Sequence, residues 1–362
     1  MPAAPVLEVR DLRVEYVTTR GAVAAVDGVD LDVHEGEFVG LVGESACGKS
    51  TLLFAIAQLL SPPATVRGGS VVFRGHDLVT MTDRQLQSLR WRDYSVVMQS
   101  AMNALNPVMS IGAQFEDVLA AHTRMTGRQM TERSVEVLRL VGIDPIHLRS
   151  YPHQLSGGMR QRAMIAMALL FTPDLVIMDE PTSALDVVAQ RSLMVQIKDL
   201  QRRLGFAVVF VTHDMSLVSH FSDQLLVMYA GQVVEAGPTR TVFDRPAHPY
   251  SRGLLDAFPS VRGPRVPLTG IPGAPPDLAR PPAGCRFHPR CPVAFDDCSH
   301  VAPELYRVGD AQARCLLHAP DRPVPTAPAV GAQAVEDAAV EDAAVEDAAV
   351  EDAVVQEEEV RR

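Results

Sequence analysis

The chain has 362 residues, 47% of them hydrophobic and 21% charged, which is too long for one minimal domain and suits one large domain with an appendage. Its net charge is −11, but Ala334 to Arg362 holds eleven acidic and two basic residues, so most of that charge belongs to a tail and says little about the partners of the folded part. No basic block marks a nucleic-acid surface, Met1-Pro2-Ala3-Ala4-Pro5 lacks the features of a signal peptide, and no apolar run approaches the roughly 18 residues that span a bilayer.

Residues 6–43 read as strands, with partial alternation in Val26–Val33 and a short apolar run, Phe38–Val42, ending at glycine. Lys49–Leu60 has helical composition, and Val71–Phe73 and Ser95–Met98 are further short strands. From 111 to 170 the character changes: Ile111–His122, Thr131–Val141 and Gly157–Leu170 are helix-like, which predicts a helical subdomain inserted in an α/β core. Buried strands return at Leu175–Met178, Ala207–Val211 and Leu225–Met228, with a helix over Val187–Leu204 between the first two. Such alternation predicts a parallel sheet covered on both faces. Pro259–Pro282 reads as an extended linker. The repeat Ala-Val-Glu-Asp-Ala occurs four times over 334–353. Five residues advance a helix by about 140°, so valine gains no fixed face and the repeat is expected to be disordered.

Gly43-Glu44-Ser45-Ala46-Cys47-Gly48-Lys49-Ser50-Thr51 matches G-x-x-x-x-G-K-[ST] between an apolar strand and a helix. In that context backbone N–H groups point at phosphates, Lys49 bridges the β- and γ-phosphates and the Ser50 hydroxyl ligates Mg²⁺. Leu175–Glu180 is an apolar strand ending in two carboxylates. Asp179 suits the Mg²⁺ shell, and Glu180 is placed to polarise an attacking water. Alone, that pair reads as a strand meeting solvent; beside a phosphate loop it reads as chemistry.

Leu155-Ser156-Gly157-Gly158-Met159-Arg160-Gln161-Arg162 precedes that strand and Ser183-Ala184-Leu185-Asp186 comes after it; Gln99 ends the strand of Val96–Met98, and His213 lies just beyond Ala207–Val211. In this order the motifs resemble those of the ABC (ATP-binding cassette) ATPases over residues 6–235. The resemblance implies a P-loop NTPase cassette: a RecA-like α/β core, an antiparallel β subdomain and an inserted helical subdomain at about 100–170. It further implies that Tyr16 stacks on adenine, that Gln99 senses Mg²⁺ and couples to a transmembrane partner, and that His213 contacts the γ-phosphate. Ser156, Gly157, Gly158 and Met159 would meet ATP held by a second cassette, and Asp186 would link the two sites. Catalysis would rest on Lys49, Glu180 and His213, with Mg²⁺ held by Ser50, Gln99 and Asp179. Two departures stand out. Ala46 replaces the family's middle glycine and strains the loop if that position needs φ > 0. Cys47 lies near a helix N-terminus, where thiolate is favoured, but a bland small-residue role fits it better than redox control.

Three further stretches, Gln99–Pro107, His248–Leu255 and Ile271–Leu278 leading into Gly284–Pro292, resemble the ATPases of oligopeptide/dipeptide (peptide/nickel) importers. The resemblance extends to about residue 318. It divides the chain into a cassette over 1–258, an extension over 259–320 and the acidic tail over 321–362. Cys285, Cys291, Cys298 and Cys315 run C-x5-C-x6-C-x16-C, unlike the C-x2-C of structural zinc. Members with this pattern carry an iron–sulfur cluster, so the resemblance implies a [4Fe–4S] site. Zn²⁺, with His288, His300 or His318 as a substitute ligand, and four free thiols are the rival readings. The implied partners are two permease subunits, a related or identical second ATPase and an extracytoplasmic binding protein, with no nucleic acid and a place at the cytoplasmic membrane face. Peptide is the favoured cargo and a nickel chelate the alternative. A soluble non-transport ABC protein would need a second phosphate loop or a heptad run, and neither occurs. A redox-sensing role for the extension stays open.

Overall fold

The computed structural model describes residues 4–19, 21–99, 104–183, 185–257 and 270–320. The acidic repeat, residues 100–103, Ala184 and the first part of the proline-rich stretch lie outside the described residues.

An eight-stranded sheet forms the centre. Its strands are β3 (Phe38–Val42), β6 (Tyr94–Val97), β7 (Leu175–Asp179), β8 (Ala207–Val211), β9 (Gln224–Tyr229), β10 (Gln232–Pro238), β11 (Tyr306–Val308) and β12 (Ala311–Ala313), in the order β11-β12-β10-β9-β3-β8-β7-β6. The five strands from β6 to β9 are mutually parallel. Their apolar runs have no polar alternation because both faces are covered. In β7, Leu175 and Ile177 enter one buried cluster while Val176 and Met178 enter the other, as a period of two requires.

One cluster lies under a second sheet made of β1 (Leu7–Thr18), β2 (Gly21–Val33), β4 (Ala64–Phe73) and β5 (His76–Asp77), ordered β2-β1-β4-β5 and antiparallel throughout. Helix α1 (Lys49–Ile56) shares that cluster, and the short α2 (Asp83–Leu89) adds Leu86. The other cluster takes the apolar faces of α3 (Ile111–His122), α4 (Gly127–Leu140), α5 (Gly157–Ala168), α6 (Val187–Leu204) and α7 (Met215–Phe221). The starts of α3 to α6 are capped by Ser110, Thr126, Ser156 and Asp186, each accepting from a backbone N–H.

The sheet is not wholly parallel, as its sequence pattern suggests. Ala230 and Gly231, with φ of 48° and 83°, make a tight turn that returns β10 antiparallel along β9. The two-strand ribbon β11–β12 then adds to β10. β10 shows no clean alternation and β11 and β12 have three residues each, so only their pairing defines them. After β10 come α8 (Thr239–Asp244) and α9 (Pro249–Asp256). Residues 270–320 carry only short 3₁₀ turns besides that ribbon. No described helix is long and apolar enough to cross a membrane.

Candidate functional site

Parallel strands bring the site together. The segments after β3, β6, β7 and β8 all leave the same edge of the sheet, which places the phosphate loop, Gln99, Asp179-Glu180 and His213 side by side.

The loop from Gly43 to Gly48 is fixed by close backbone approach. Gly43, at φ 152°, would place a Cβ 2.1 Å from the Met228 carbonyl oxygen, and Gly48, at φ 107°, would place one 2.1 Å from that of Ala25. No other residue fits either position. Lys49 is buried, and its Nζ donates to the carbonyl oxygens of Gly43 and Glu44, both at 2.8 Å. Ala46 has φ 62°, so the conditional strain is real: the position is left-handed and alanine holds it. Cys47 fits a small buried residue better than an activated thiol. Its side chain is buried, and that burial raises the thiol above its ordinary range despite the nearby Lys49 ammonium. Desolvation outweighs the helix N-terminus here.

Ser50 Oγ donates to Asp179 Oδ1 at 3.1 Å, which joins the loop to the end of β7. Burial raises the Asp179 carboxyl, and the neighbouring Glu180 charge adds to the rise. Glu180 has φ 46°, a left-handed conformation that turns its side chain off the strand ahead of Pro181. Gln99 Nε2 donates to Glu180 Oε2 at 2.8 Å, and His213 Nδ1 lies 3.5 Å from Glu180 Oε1. Tyr16 is half-buried on β1, its hydroxyl 3.1 Å from Thr51 Oγ1 at the start of α1. The arrangement therefore offers a cationic cradle, a hydroxyl–carboxylate pair for a divalent cation and a carboxylate held by an amide with an imidazole 3.5 Å away. Such a set positions a polyphosphate and a water for in-line attack.

Other motif residues lie apart from this group. Ser156 caps α5, its Oγ accepting from Met159 N–H at 3.2 Å, and Gly158 faces open space. Asp186 caps α6 through Ala189 N–H at 2.9 Å.

The four cysteines line one cavity together with His248 and His288, so the fold gathers thiols that lie up to thirty residues apart. Burial and the other thiols push Cys291 up to about 11 and Cys315 up to about 12. The expected metal centre is nevertheless not assembled: among the described residues, no group of three or more His, Cys, Asp or Glu side chains is placed to hold a metal ion. His248 is fully buried, and its Nδ1 accepts from Tyr250 N–H, which leaves a buried Nε2 without a hydrogen-bond partner.

Sequence reasoning missed Tyr250 and Arg290. Glu44 N–H donates to the Tyr250 hydroxyl at 2.9 Å, and Arg290 pairs with the Glu44 carboxylate. Both partners lie more than two hundred residues from the loop, so no local spacing reports them.

Comparison with known proteins agrees with this geometry. The family described as ABC transporter matches residues 26–183, and that described as oligopeptide/dipeptide transporter, C-terminal region, matches 234–298. The oligopeptide transport ATP-binding protein of Salmonella typhimurium is 43% identical over 86% of this chain and 94% of its own length. The dipeptide transport ATP-binding protein of Bacillus subtilis is 42% identical over 82% and 90%. Among solved structures, a dimeric ATP-binding cassette bound to ADP and phosphate aligns with TM-score 0.58 at 28% identity, covering 65% of this chain and 99% of that one. A cassette from Clostridium perfringens, part of an ABC transporter complex, aligns with TM-score 0.58 at 26% identity, covering 67% and 92%. The chain belongs to the ATP-binding subunits of the ABC transporter family, in its oligopeptide/dipeptide branch.

Proposed function

We propose that this chain is the ATP-hydrolysing motor of a peptide importer, working at the cytoplasmic membrane face through two permease subunits. The observation that carries the reading is the convergence of Lys49, Ser50, Gln99, Asp179, Glu180 and His213 at the strand ends. The relatives' roles in dipeptide and oligopeptide transport supply the cargo class.

Lys49 and the loop N–H groups hold the β- and γ-phosphates. Tyr16, standing over the start of α1, offers its ring to the adenine. Ser50, Asp179 and Gln99 would hold Mg²⁺, and the 3.1 Å contact between Ser50 and Asp179 fits that use. Mg²⁺ supplies charge neutralisation at the phosphate oxygens. Glu180 takes the proton of the attacking water, with Gln99 and His213 fixing its carboxylate. Ser156, Gly157, Gly158 and Met159 would close over nucleotide on a second cassette, related or identical, and Asp186 would lie at that junction. An extracytoplasmic binding protein would deliver the peptide.

Residues 259–320 form the Cys-bearing extension of this importer group. We further propose a [4Fe–4S] cluster on Cys285, Cys291, Cys298 and Cys315. Four thiols around one cavity, Cys298 and Cys315 buried and Cys285 and Cys291 partly so, suit a polynuclear centre, and the unpartnered His248 Nε2 can donate to it. The cluster would supply a structural tie between loops that lack a core of their own. Iron content and a broad visible absorbance in anaerobically purified protein test this; a colourless, iron-free protein removes it.

The motor reading is tested with the assembled transporter. Lys49→Ala should abolish nucleotide turnover and ATP-dependent peptide uptake. Full ATPase activity in that variant would overturn the assignment.

A further inference from the structure

Glu44 sits inside the phosphate loop, yet its carboxylate is turned away from the cradle into a salt bridge with chain more than two hundred residues downstream. Arg290 Nη1 donates to Glu44 Oε2 at 2.7 Å and Nη2 to Oε1 at 2.9 Å, a bidentate pair with the arginine side chain only 6% exposed. Arg290 is anchored in turn: Nε donates to the Pro272 carbonyl at 2.8 Å, and Nη1 reaches the Tyr229 hydroxyl at 3.3 Å. Its guanidinium also lies over the Tyr229 ring. Below it, Tyr229, Tyr250 and Phe287 pack as an aromatic triad with ring centroids 4.6 to 5.4 Å apart. The Tyr250 hydroxyl receives the Glu44 backbone N–H. One loop residue is therefore gripped by side chain and by backbone, both grips coming from residues after β10. Pro275–Leu278 faces Glu44–Cys47 across a cleft of about 310 Å³.

We propose that Arg290 is a positioning residue for nucleotide binding: it keeps the Glu44 carboxylate off the polyphosphate and holds the loop in its phosphate-binding shape. The inference rests on the MgATP reading of the loop. An unpaired carboxylate beside three or four phosphate charges repels them, and a charge-assisted bidentate contact removes that repulsion while fixing the direction of the side chain. The loop also contains a left-handed alanine at position 46, and the grip on Glu44 adds to the Lys49 contacts that hold its shape. The tie also fastens the residue before Cys291 to the catalytic loop.

The experiment uses the assembled transporter and measures kcat and KM for MgATP in four proteins: wild type, Arg290→Gln, Glu44→Gln and the double variant. Arg290→Gln should raise KM about tenfold with kcat within about twofold, because the repulsion acts on binding. The double variant should recover most of that loss, since no charge is left to repel. A KM within twofold of wild type in folded Arg290→Gln, or a double variant worse than Arg290→Gln, would overturn the proposal. If Arg290→Gln does not fold, Arg290→Lys, which keeps the charge but loses the bidentate contact to Glu44, is measured the same way. A KM raised about threefold supports the proposal, and an unchanged KM sinks it. Wild-type transporter without ATPase activity would count against the motor assignment instead, so the two failures are distinguishable.

Discussion

Ser50 Oγ and Asp179 Oδ1 lie 3.1 Å apart, although 129 residues separate them in the chain. The contact exists because β3 and β7 are parallel strands flanking β8, so the loop after β3 emerges beside the end of β7. Asp179→Asn keeps the shape and removes the charge that a divalent cation requires. ATPase turnover should fall by about 10²–10³, as for loss of one electrostatic element in an active site. Nucleotide binding measured in EDTA should be unchanged. Mg²⁺-dependent turnover at the wild-type rate would contradict the assignment.

Glu180 is held by Gln99 and His213. Glu180→Gln preserves size and removes the proton acceptor. Hydrolysis should drop by about 10²–10⁴, the range of a lost general base, while ATP still binds. The variant should therefore accumulate the ATP-bound closed dimer, visible by size-exclusion chromatography. Retained turnover would remove Glu180 from the base role.

Ala46 occupies a left-handed position at φ 62°. Ala46→Gly relieves that conformation, partly offset by the greater freedom of glycine in the unfolded chain. The expected net gain is about 0.5–1 kcal/mol, read as a rise of a few degrees in Tm. A lower Tm would mean that the strain is not stored there.

Cys47 is buried, and burial raises its thiol pKa. It should resist iodoacetamide at pH 8 in the native protein and label only after denaturation, followed by peptide-resolved mass spectrometry. Labelling at the rate of an exposed thiol would show that the loop opens far more than its packing implies.

Glu235 on β10 is fully buried and accepts from the Ala247 and His248 N–H groups at 2.7 and 2.9 Å. Burial raises its carboxyl above the ordinary range. The folded protein thus holds this proton more tightly than the unfolded chain does. The stability gained is fully present below the unfolded-state pKa, about 4.3, and is lost as pH rises through the higher folded value. Glu235→Gln cannot lose it in that way. Its destabilisation relative to wild type should be smaller at pH 8 than at pH 5 in urea unfolding, and an equal difference at both would refute the assignment.

The chemistry of the nucleotide site was legible in the residues because each element there is local. A glycine-lysine turn, an apolar run closing in Asp179-Glu180 and a capped Ser156 each declare themselves within ten residues. The parallel core was legible for the same reason: a run such as Leu175–Met178 is apolar at every position only if both faces are covered. The added strands β10 to β12 were not, because Gln232–Pro238 lacks a clean alternation and β11 and β12 have three residues each, so they are strands only through their partners. Cys47 shows a second limit, since a sequence position near a helix start says nothing of how deeply the thiol is buried. Distances among four cysteines on turns are likewise set by packing, so their spacing could name a set of thiols but not a coordination geometry. What the sequence alone determined is which groups can do chemistry. Only the tertiary structure decided which groups meet, Arg290 with Glu44 above all, because side-chain contacts across two hundred residues arise from the path of the chain through the sheet and leave no trace in local order.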